Sequence, residues 1–107
     1  MDEVSIILVT VGSEEEAAKI GRALVEEKLA ACANIVPRIR SIYRWKGEIY
    51  DERESLVVIK TRTSLFPALR DRVRALHSYE TPEIVAFPVA QGLPEYLAWV
   101  IGETAEI

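Results

Sequence analysis

The sequence predicts an α+β fold in which a four-stranded antiparallel sheet carries its helices in the order βαββαβ, followed by one further helix. Three observations predict this fold. Two stretches follow the pattern strand, helix, strand. Each of them ends in a strand that runs into proline. Between them, apolar and polar residues alternate with a period of two, which predicts a long hairpin that joins the two units. Because strand-helix-strand crossovers are right-handed, both helices should lie on one face of the sheet, which is the ferredoxin-like arrangement.

The first unit starts with residues 4–11, which are nearly all apolar and therefore predict a buried central strand. Ser13 and, three residues later, Glu16 form a capping-box pattern that predicts the start of a helix. This helix should run to about Lys28 or Leu29 and bury one apolar stripe. The stripe consists of Ala17, Ile20, Gly21, Leu24 and Val25.

The predicted hairpin is the stretch on which the rest depends. Its apolar residues fall mostly at odd positions: Ile35, Ile39, Tyr43 and Trp45. Lys46-Gly47 then supplies a tight turn. Arms of ~12 residues would run ~40 Å, which exceeds the size of such a domain, so the tip should dock on another copy of the chain. A strict two-residue turn would place Arg40 opposite Arg53, and with Pro37 this predicts a bulge or a longer turn.

The second unit follows the hairpin. Residues 56–59 predict an apolar strand, and Thr63 or Ser64 should cap the next helix. Proline at position 82 forces the preceding residue to be extended, which predicts a last strand over 83–89, and a short final helix is predicted over 96–101. The second helix should bury Leu65, Leu69, Val73 and Leu76.

The composition limits the classes of partner and compartment. The 107 residues predict a single domain over 1–107, and half of them are apolar, which is enough for one core. A net charge of -4 argues against nucleic acid as a partner, since that requires a basic surface. One cysteine cannot form an internal disulfide, no run is apolar enough for a membrane span, and the chain starts Met-Asp-Glu. We therefore expect a cytoplasmic protein that binds no membrane.

Three residues offer groups that ligate metals, and each also has a structural explanation. Cys32 lies in an apolar helix-to-strand junction, as a small buried hydrophobe, a metal ligand or a nucleophile. His77, the only histidine, either complements the dipole at the end of its helix or serves as a ligand or proton carrier. Glu83 is either a solvated carboxylate at the start of a strand or part of the same site.

Three further residues are candidates for lining such a site. Lys60 either snorkels past its apolar neighbours or points its ammonium at an anion in a cleft. Trp45 at the hairpin tip is an interface anchor, a stacking platform for a ligand, or both. Tyr79 lies between His77 and Glu83 in sequence. No Walker loop, dinucleotide motif, Cys-x-x-Cys or His-x-x-x-His occurs, so these residues predict no more than a cluster near a subunit seam.

Five segments carry a resemblance to a known family: residues 29–37 (LAACANIVP), 41–47 (SIYRWKG), 54–61 (ESLVVIKT), 77–84 (HSYETPEI) and 96–99 (YLAW). In this order, and over almost the whole length, they make the chain closely resemble the CutA family of divalent-cation tolerance proteins. The resemblance implies a ferredoxin-like fold related to the PII signalling proteins and a tight homotrimer. It also implies a cytosolic setting and a role in tolerance of copper and other divalent cations.

The resemblance also implies roles for individual residues, which the family's shape would gather in a cleft between subunits. The metal ligands would be His77, Cys32 and Glu83, and the ligand cleft would be lined by Trp45, Lys60 and Tyr79. Ser78 stands where family members often have proline, which should loosen the turn. Val9 and Leu76 stand where some members have a cysteine and a second histidine. An imidazole with a thiolate and a carboxylate still suits copper.

The leading hypothesis is therefore a homotrimeric protein that binds Cu(II) or another divalent cation at or near inter-subunit clefts. The alternative is a PII-like signalling module that binds a small molecule or docks on a protein partner, without catalysis. A hairpin turn of only Lys46-Gly47 argues against that alternative, because it leaves no long mobile loop. An enzyme would use Cys32 as nucleophile and His77 as base, but the apolar surroundings of the thiol disfavour its activation, so we expect no catalysis.

Overall fold

The secondary structure follows the predicted order of elements. The computed structural model describes residues 3–106. Its elements are β1 (Val4–Val11), α1 (Glu14–Glu26), β2 (Cys32–Trp45), β3 (Glu48–Arg62), α2 (Phe66–Leu76), β4 (Ile84–Pro88) and α3 (Pro94–Gly102). The four strands form one sheet in the order β2-β3-β1-β4, and every neighbouring pair is antiparallel. This confirms the βαββαβ ferredoxin-like arrangement and its additional helix.

The core lies between α1, α2 and one face of the sheet. Alternate residues of β1 and β3 point towards the helices, as the two-residue period of a strand requires. α1 begins where predicted, because Ser13 Oγ accepts a hydrogen bond from the N–H of Glu16 at 3.1 Å. The fully buried residues of this core include Ile7, Val9, Val11, Ala17, Ile20, Leu24, Val57, Ile59, Leu69 and Val73.

The end of α1 differs from the prediction. The helix ends at Glu26 rather than at Lys28 or Leu29. Lys28 adopts a left-handed φ of 61°, and the N–H of Leu29 turns back to the carbonyl of Leu24 at 2.9 Å, which closes the helix. Val25, predicted in the buried stripe, is 41% exposed because it lies at this terminus.

The elements of the second unit also have different ends. A 3-10 turn occupies Thr63–Leu65, and α2 starts at Phe66 with no side-chain cap. The Thr63 hydroxyl does not cap the helix, because it hydrogen-bonds to the Ser5 hydroxyl at 2.6 Å. The last strand, Ile84–Pro88, is shorter than the predicted range 83–89, and α3 is longer than the predicted range 96–101.

The hairpin of β2 and β3 is as long as predicted. Its arms contain 14 and 15 residues, and the longest dimension of the chain is 44 Å. Trp45 pairs with Glu48 around a two-residue turn. The turn residues Lys46 and Gly47 have φ values of 50° and 83°, which is typical of a tight hairpin. The hairpin therefore continues well beyond the end of β1, and in the described part of the chain no third strand lies beside that extension.

β2 contains the predicted bulge. The register shifts just before Ile39, and Arg38 there adopts a φ of 61°. Our expectation that a bulge or longer turn would separate the two arginines is wrong, because Arg40 still lies opposite Arg53. Arg40 instead reaches diagonally to Asp51, with nitrogen-oxygen distances of 2.8 and 2.6 Å. This bidentate pair offsets the repulsion between the two guanidinium groups.

The bulge also divides the apolar residues of β2 between the two faces of the sheet. Ile35 pairs with Val57 and faces the helices. Ile39, Tyr43 and Trp45 face the opposite side, because one extra residue reverses the alternation of the strand. The predicted stripe of odd-numbered residues is therefore split.

The face of the sheet opposite α1 and α2, called the open face below, is apolar and only partly covered. Val36, Val85 and Phe87 on this face are 44% to 48% exposed. α3 covers one end of it, where Val100 is fully buried and Arg62 Nη2 donates to the carbonyl of Ile101 at 2.6 Å. Among residues 3–106, no helix is both long enough and apolar enough to cross a membrane.

Candidate functional site

A cleft of about 840 Å³ lies beside the part of the hairpin that extends past β1. β1 ends at Val11, which pairs with Ser55. Within residues 3–106, the edge of β3 beyond that pair therefore has no strand beside it except β2. The segment between α2 and β4 lies along this side. The cleft is lined by Thr10, Gly12, Arg40, Ser41, Ile42, Tyr43, Trp45, Glu52, Arg53, Glu54, Tyr79, Glu80, Thr81 and Glu83.

Tyr79 and Glu54 join the two sides of the cleft. Tyr79 Oη donates a hydrogen bond to Glu54 Oε2 at 2.6 Å, and Glu54 is only 7% exposed. Burial, together with this carboxylate, raises the pKa of Tyr79 well above its usual value. Tyr79 packs so closely on Gly12 that an added Cβ would lie 3.3 Å from its hydroxyl oxygen. The phenol therefore stays protonated and holds the Glu54 carboxylate in one orientation.

His77 lies behind Tyr79, with a side chain that is 0% exposed. Its Nδ1 accepts the backbone N–H of Tyr79 at 3.0 Å, so this nitrogen carries no proton. Nε2 lies 2.7 Å from the carbonyl oxygen of Thr10 and therefore donates to it. Because both ring nitrogens have backbone partners, His77 anchors the segment after α2 to β1.

Ser78 fastens the same segment to α1. Its N–H donates to Glu16 Oε2 and its hydroxyl to Glu16 Oε1, both at 2.8 Å. The looser turn expected for serine relative to proline stays a prediction, and the first of these two bonds is one that proline, which has no N–H, could not make.

The hairpin side of the cleft carries two aromatic residues of the open face. The Tyr43 hydroxyl donates to Glu52, and this bond raises the pKa of Tyr43 to about 12. The ring of Tyr43 stacks on Tyr50 across the strands, with ring centroids 5.4 Å apart. The ring of Trp45 lies next to it on the same arm and is 38% exposed.

Cys32 and Lys60 lie away from the cleft, at the start of β2 and the end of β3. Cys32 pairs with Lys60 across the strands, and Lys60 pairs with Ile6 of β1. His77 bonds to Thr10, which lies four residues or ~13 Å from Ile6 along the same strand. Lys60 Nζ donates to the side-chain oxygen of Asn34, and Cys32 Sγ donates to the same oxygen at 3.5 Å. Cys32 is partly exposed, not the small buried residue that its apolar neighbours suggest.

The structure therefore brings together only part of the predicted set. Trp45, Tyr79 and Glu83 line one cleft, His77 supports it from behind, and Cys32 and Lys60 belong to another region. Over residues 3–106, no group of three or more histidine, cysteine, aspartate or glutamate side chains is arranged to hold a metal ion. Within one chain, the three predicted ligands do not form a metal site.

Several residues of the cleft were not singled out from the sequence, and Glu54 is the most important of them. It lies between Arg53 and Ser55 in a highly charged arm, so it reads as a solvated residue. A signal was nevertheless present, because strand alternation places Glu54 on the same face as Leu56 and Val58. A carboxylate that continues an apolar stripe is a candidate for function or for a specific buried contact.

Comparison with known proteins gives one consistent family. A model of the CutA1 divalent ion tolerance protein matches residues 5–103. A divalent-cation tolerance protein CutA from Thermus thermophilus is 57% identical over 100 residues, which are 94% of this chain and 95% of that protein. A solved structure of the Cut A1 protein from Thermus thermophilus superposes with a TM-score of 0.92 at 54% identity, covering 95% of this chain and 99% of that one.

More distant relatives differ in length and setting. Mouse protein CutA is 53% identical over 97 residues, which are 91% of this chain but 55% of that protein, so the chain spans about half the length of its mammalian relatives. A solved structure described as a periplasmic divalent cation tolerance protein CutA from Archaeoglobus fulgidus has a TM-score of 0.87 at 45% identity and covers 91% of this chain and 94% of that one.

Proposed function

The chain belongs to the CutA1 divalent ion tolerance family, and from that premise we propose that it is a homotrimeric binding protein, not an enzyme, that takes up a divalent cation in the cleft beside its hairpin. The observation that carries this proposal is an acidic cleft next to an apolar sheet face that residues 3–106 cover only in part. The number of subunits comes from the resemblance to the family. The chemistry of the cleft comes from its lining residues.

Self-association is supported by the apolar surface that residues 3–106 leave exposed. Val85 and Phe87 are exposed on the open face, and Ile42 and Ile49 are each 66% exposed on the other face of the hairpin tip. A two-stranded ribbon on its own is marginal in water, so a neighbouring copy that covers it would stabilise both chains. Because Trp45 lies at the same tip, such a neighbour would also lie close to the cleft.

Cation binding is supported by the charges that line the cleft. Four carboxylates, those of Glu52, Glu54, Glu80 and Glu83, face only two guanidinium groups, and one of these, Arg40, is already paired with Asp51 outside the cleft. Carboxylate oxygens suit hard divalent cations such as Mg²⁺, Ca²⁺ and Mn²⁺. The excess of negative charge also raises the local concentration of cations.

The predicted ligands enter this proposal unequally. Glu83 lines the cleft and is exposed, so it remains the proposed ligand. His77 would join it only if its ring released Thr10 or the N–H of Tyr79. Cys32 would take part only through a different subunit, since it lies at the far end of the strands. Because no three histidine, cysteine or carboxylate side chains within residues 3–106 are arranged to hold a metal ion, a second copy of the chain would have to complete the coordination. The proposed ion is Cu(II) or another divalent cation, bound at or near an inter-subunit cleft with carboxylate oxygens as its first ligands.

Calorimetric titration of the assembled protein with MnCl₂ and with CuCl₂ tests this proposal. We expect saturable binding that Glu83→Gln weakens by about tenfold or more, equivalent to about 1.4 kcal/mol. Glu15→Gln, which removes the same charge from the exposed start of α1, should bind as wild type. Equal affinities of wild type and Glu83→Gln for both metals would contradict the proposal.

The cellular setting is proposed as cytoplasmic, which suits a chain with one partly exposed, unpaired cysteine. Fractionation of the host cells with an antibody to the protein tests this. Recovery in a periplasmic or organelle fraction would contradict it. The signalling alternative receives no support from the hairpin, because its turn contains two residues only.

A further inference from the structure

The cleft is large for a single metal ion and is partly aromatic. Its volume of about 840 Å³ lies in the range of sites for organic molecules. Three aromatic rings, of Tyr43, Trp45 and Tyr79, line it together with the carboxylates. Aromatic faces attract ammonium groups, and carboxylates accept their hydrogen bonds, whereas ring faces contribute little to binding a hydrated metal ion.

The chain's own ammonium group already occupies part of this arrangement. Lys46 Nζ lies 5.5 Å from the centroid of the Trp45 ring, within the range of a cation–π contact. The same nitrogen is 3.4 Å from Glu80 Oε2, on the opposite side of the cleft. The Lys46 side chain is 68% exposed, so it is held loosely and an external ligand can displace it. Ring and carboxylate together therefore form a receptor for a primary ammonium group.

A second acceptor lies deeper in the cleft. Glu54 is a buried residue, 7% exposed, and its bond to Tyr79 uses Oε2. Oε1 is left to accept a hydrogen bond from a ligand. Because Tyr79 fixes the orientation of this carboxylate, a ligand would bind to a preformed acceptor and not to a mobile side chain.

We propose that the cleft binds a primary alkylammonium ion, held between the Trp45 ring and the Glu80 carboxylate in the place that Lys46 Nζ now occupies, so that an organic amine is a ligand of this protein. This inference deepens the proposed function, on which it rests for the location of the site. It adds an organic cation to the metal ion proposed above. Glu54 pairs with Ile39, six residues or ~20 Å along the hairpin from the Trp45–Glu48 pair, so its carboxylate would meet a second ammonium group and not the one at Trp45.

Calorimetric titration of the assembled protein with 1,4-diaminobutane tests the inference. The matched neutral ligand is 1,4-butanediol, which has the same chain without the charges, and both titrations use ~0.15 M salt to suppress nonspecific attraction. We expect saturable heat for the diamine and none for the diol. Absence of saturable heat for the diamine, or equal binding of the diol, would overturn the inference.

Two variants and one control locate the site. Trp45→Leu should weaken diamine binding about fivefold, because it removes the ring but no charge. Lys46→Met should strengthen diamine binding about threefold, because it removes the internal competitor. Lys19→Met removes the same charge from the exposed side of α1 and should leave the affinity unchanged. Wild-type affinity in Lys46→Met overturns the inference, even where Trp45→Leu fails to assemble.

A parallel titration with MnCl₂ alone separates this inference from the proposed function. Metal binding without diamine binding would overturn the inference and leave the proposed function standing. Diamine binding without metal binding would support the inference and contradict the proposed metal site.

Discussion

The hydrogen bond between Tyr79 and Glu54 should be a main support of the cleft, and Tyr79→Phe tests it with the least disturbance. The substitution removes one oxygen atom and keeps the ring. The packing of the ring against Gly12 and His77, whose ring centroid is 4.7 Å from that of Tyr79, is therefore preserved. What is lost is the 2.6 Å bond to the carboxylate of Glu54, a buried residue that is only 7% exposed.

The expected magnitude follows from that geometry. A hydrogen bond to a charged group contributes about 1.5–3 kcal/mol, and a buried carboxylate that loses its donor pays a desolvation penalty of the same order. The Glu54 oxygen can regain part of this from water entering the open cleft, so we expect a loss of about 2 kcal/mol in the free energy of unfolding per chain. For a domain whose total stability is about 5–15 kcal/mol, this is a large change.

Urea denaturation at a fixed protein concentration, followed by circular dichroism, measures the loss. A double-mutant cycle with Glu54→Leu isolates the bond itself, because leucine offers no acceptor and the loss of the Tyr79 hydroxyl should then cost much less. Tyr43→Phe is the matched control. It removes a hydroxyl that donates to the exposed carboxylate of Glu52, so it should change the free energy of unfolding little. A loss below about 0.5 kcal/mol for Tyr79→Phe, or equal losses with and without Glu54, would refute the reasoning.

Three further predictions concern pH and glycine. The free energy of unfolding should fall as the pH rises above ~10, because the raised pKa of Tyr79 makes the folded chain retain a proton that the unfolded chain releases. The urea midpoint should therefore decrease less between pH 8 and pH 11 in Tyr79→Phe than in wild type, and equal decreases would contradict this. Gly21→Ala should lower the melting temperature despite the gain in helix propensity, because the new Cβ would lie 3.1 Å from the Cβ of Ala33 on β2; a higher melting temperature would show that the contact relaxes freely. Gly47→Ala should cost about 1 kcal/mol in urea denaturation, because φ there is 83° and the surroundings are open, so only backbone strain acts; an unchanged midpoint would contradict that origin.

The fold could be predicted because its signals are local. The apolar run of β1, the Ser13 cap of α1 and the Lys46-Gly47 turn each depend on a few neighbouring residues, and the structure confirms all three. The bulge was predicted from Pro37, but its effect on which residues face which side was not. One inserted residue reverses the alternation of everything that follows it, and the sequence pattern looks the same before and after.

The site could be predicted only in part, because its contacts are distant in sequence. Glu54 meets Tyr79 across 25 residues, and this contact depends on how the segment after α2 lies along the hairpin. The His77 partner is the backbone carbonyl of Thr10, which leaves no trace in residue type. Trp45, Glu83 and Lys60 belong to the set that the family resemblance gathers in a cleft between subunits, which stays a prediction. Within one chain, Trp45 and Glu83 line the same cleft, whereas Lys60 lies at the other end of β3.

The long hairpin and the open face should require other copies of the chain, which would complete the site. Sedimentation equilibrium at low micromolar concentration tests this requirement most directly, because it reads the mass of the assembly without a label or a ligand. We predict a single species with three times the mass of the chain, unchanged on further dilution while the circular dichroism spectrum remains that of the folded protein. A folded species with the mass of one chain under the same conditions would contradict the claim.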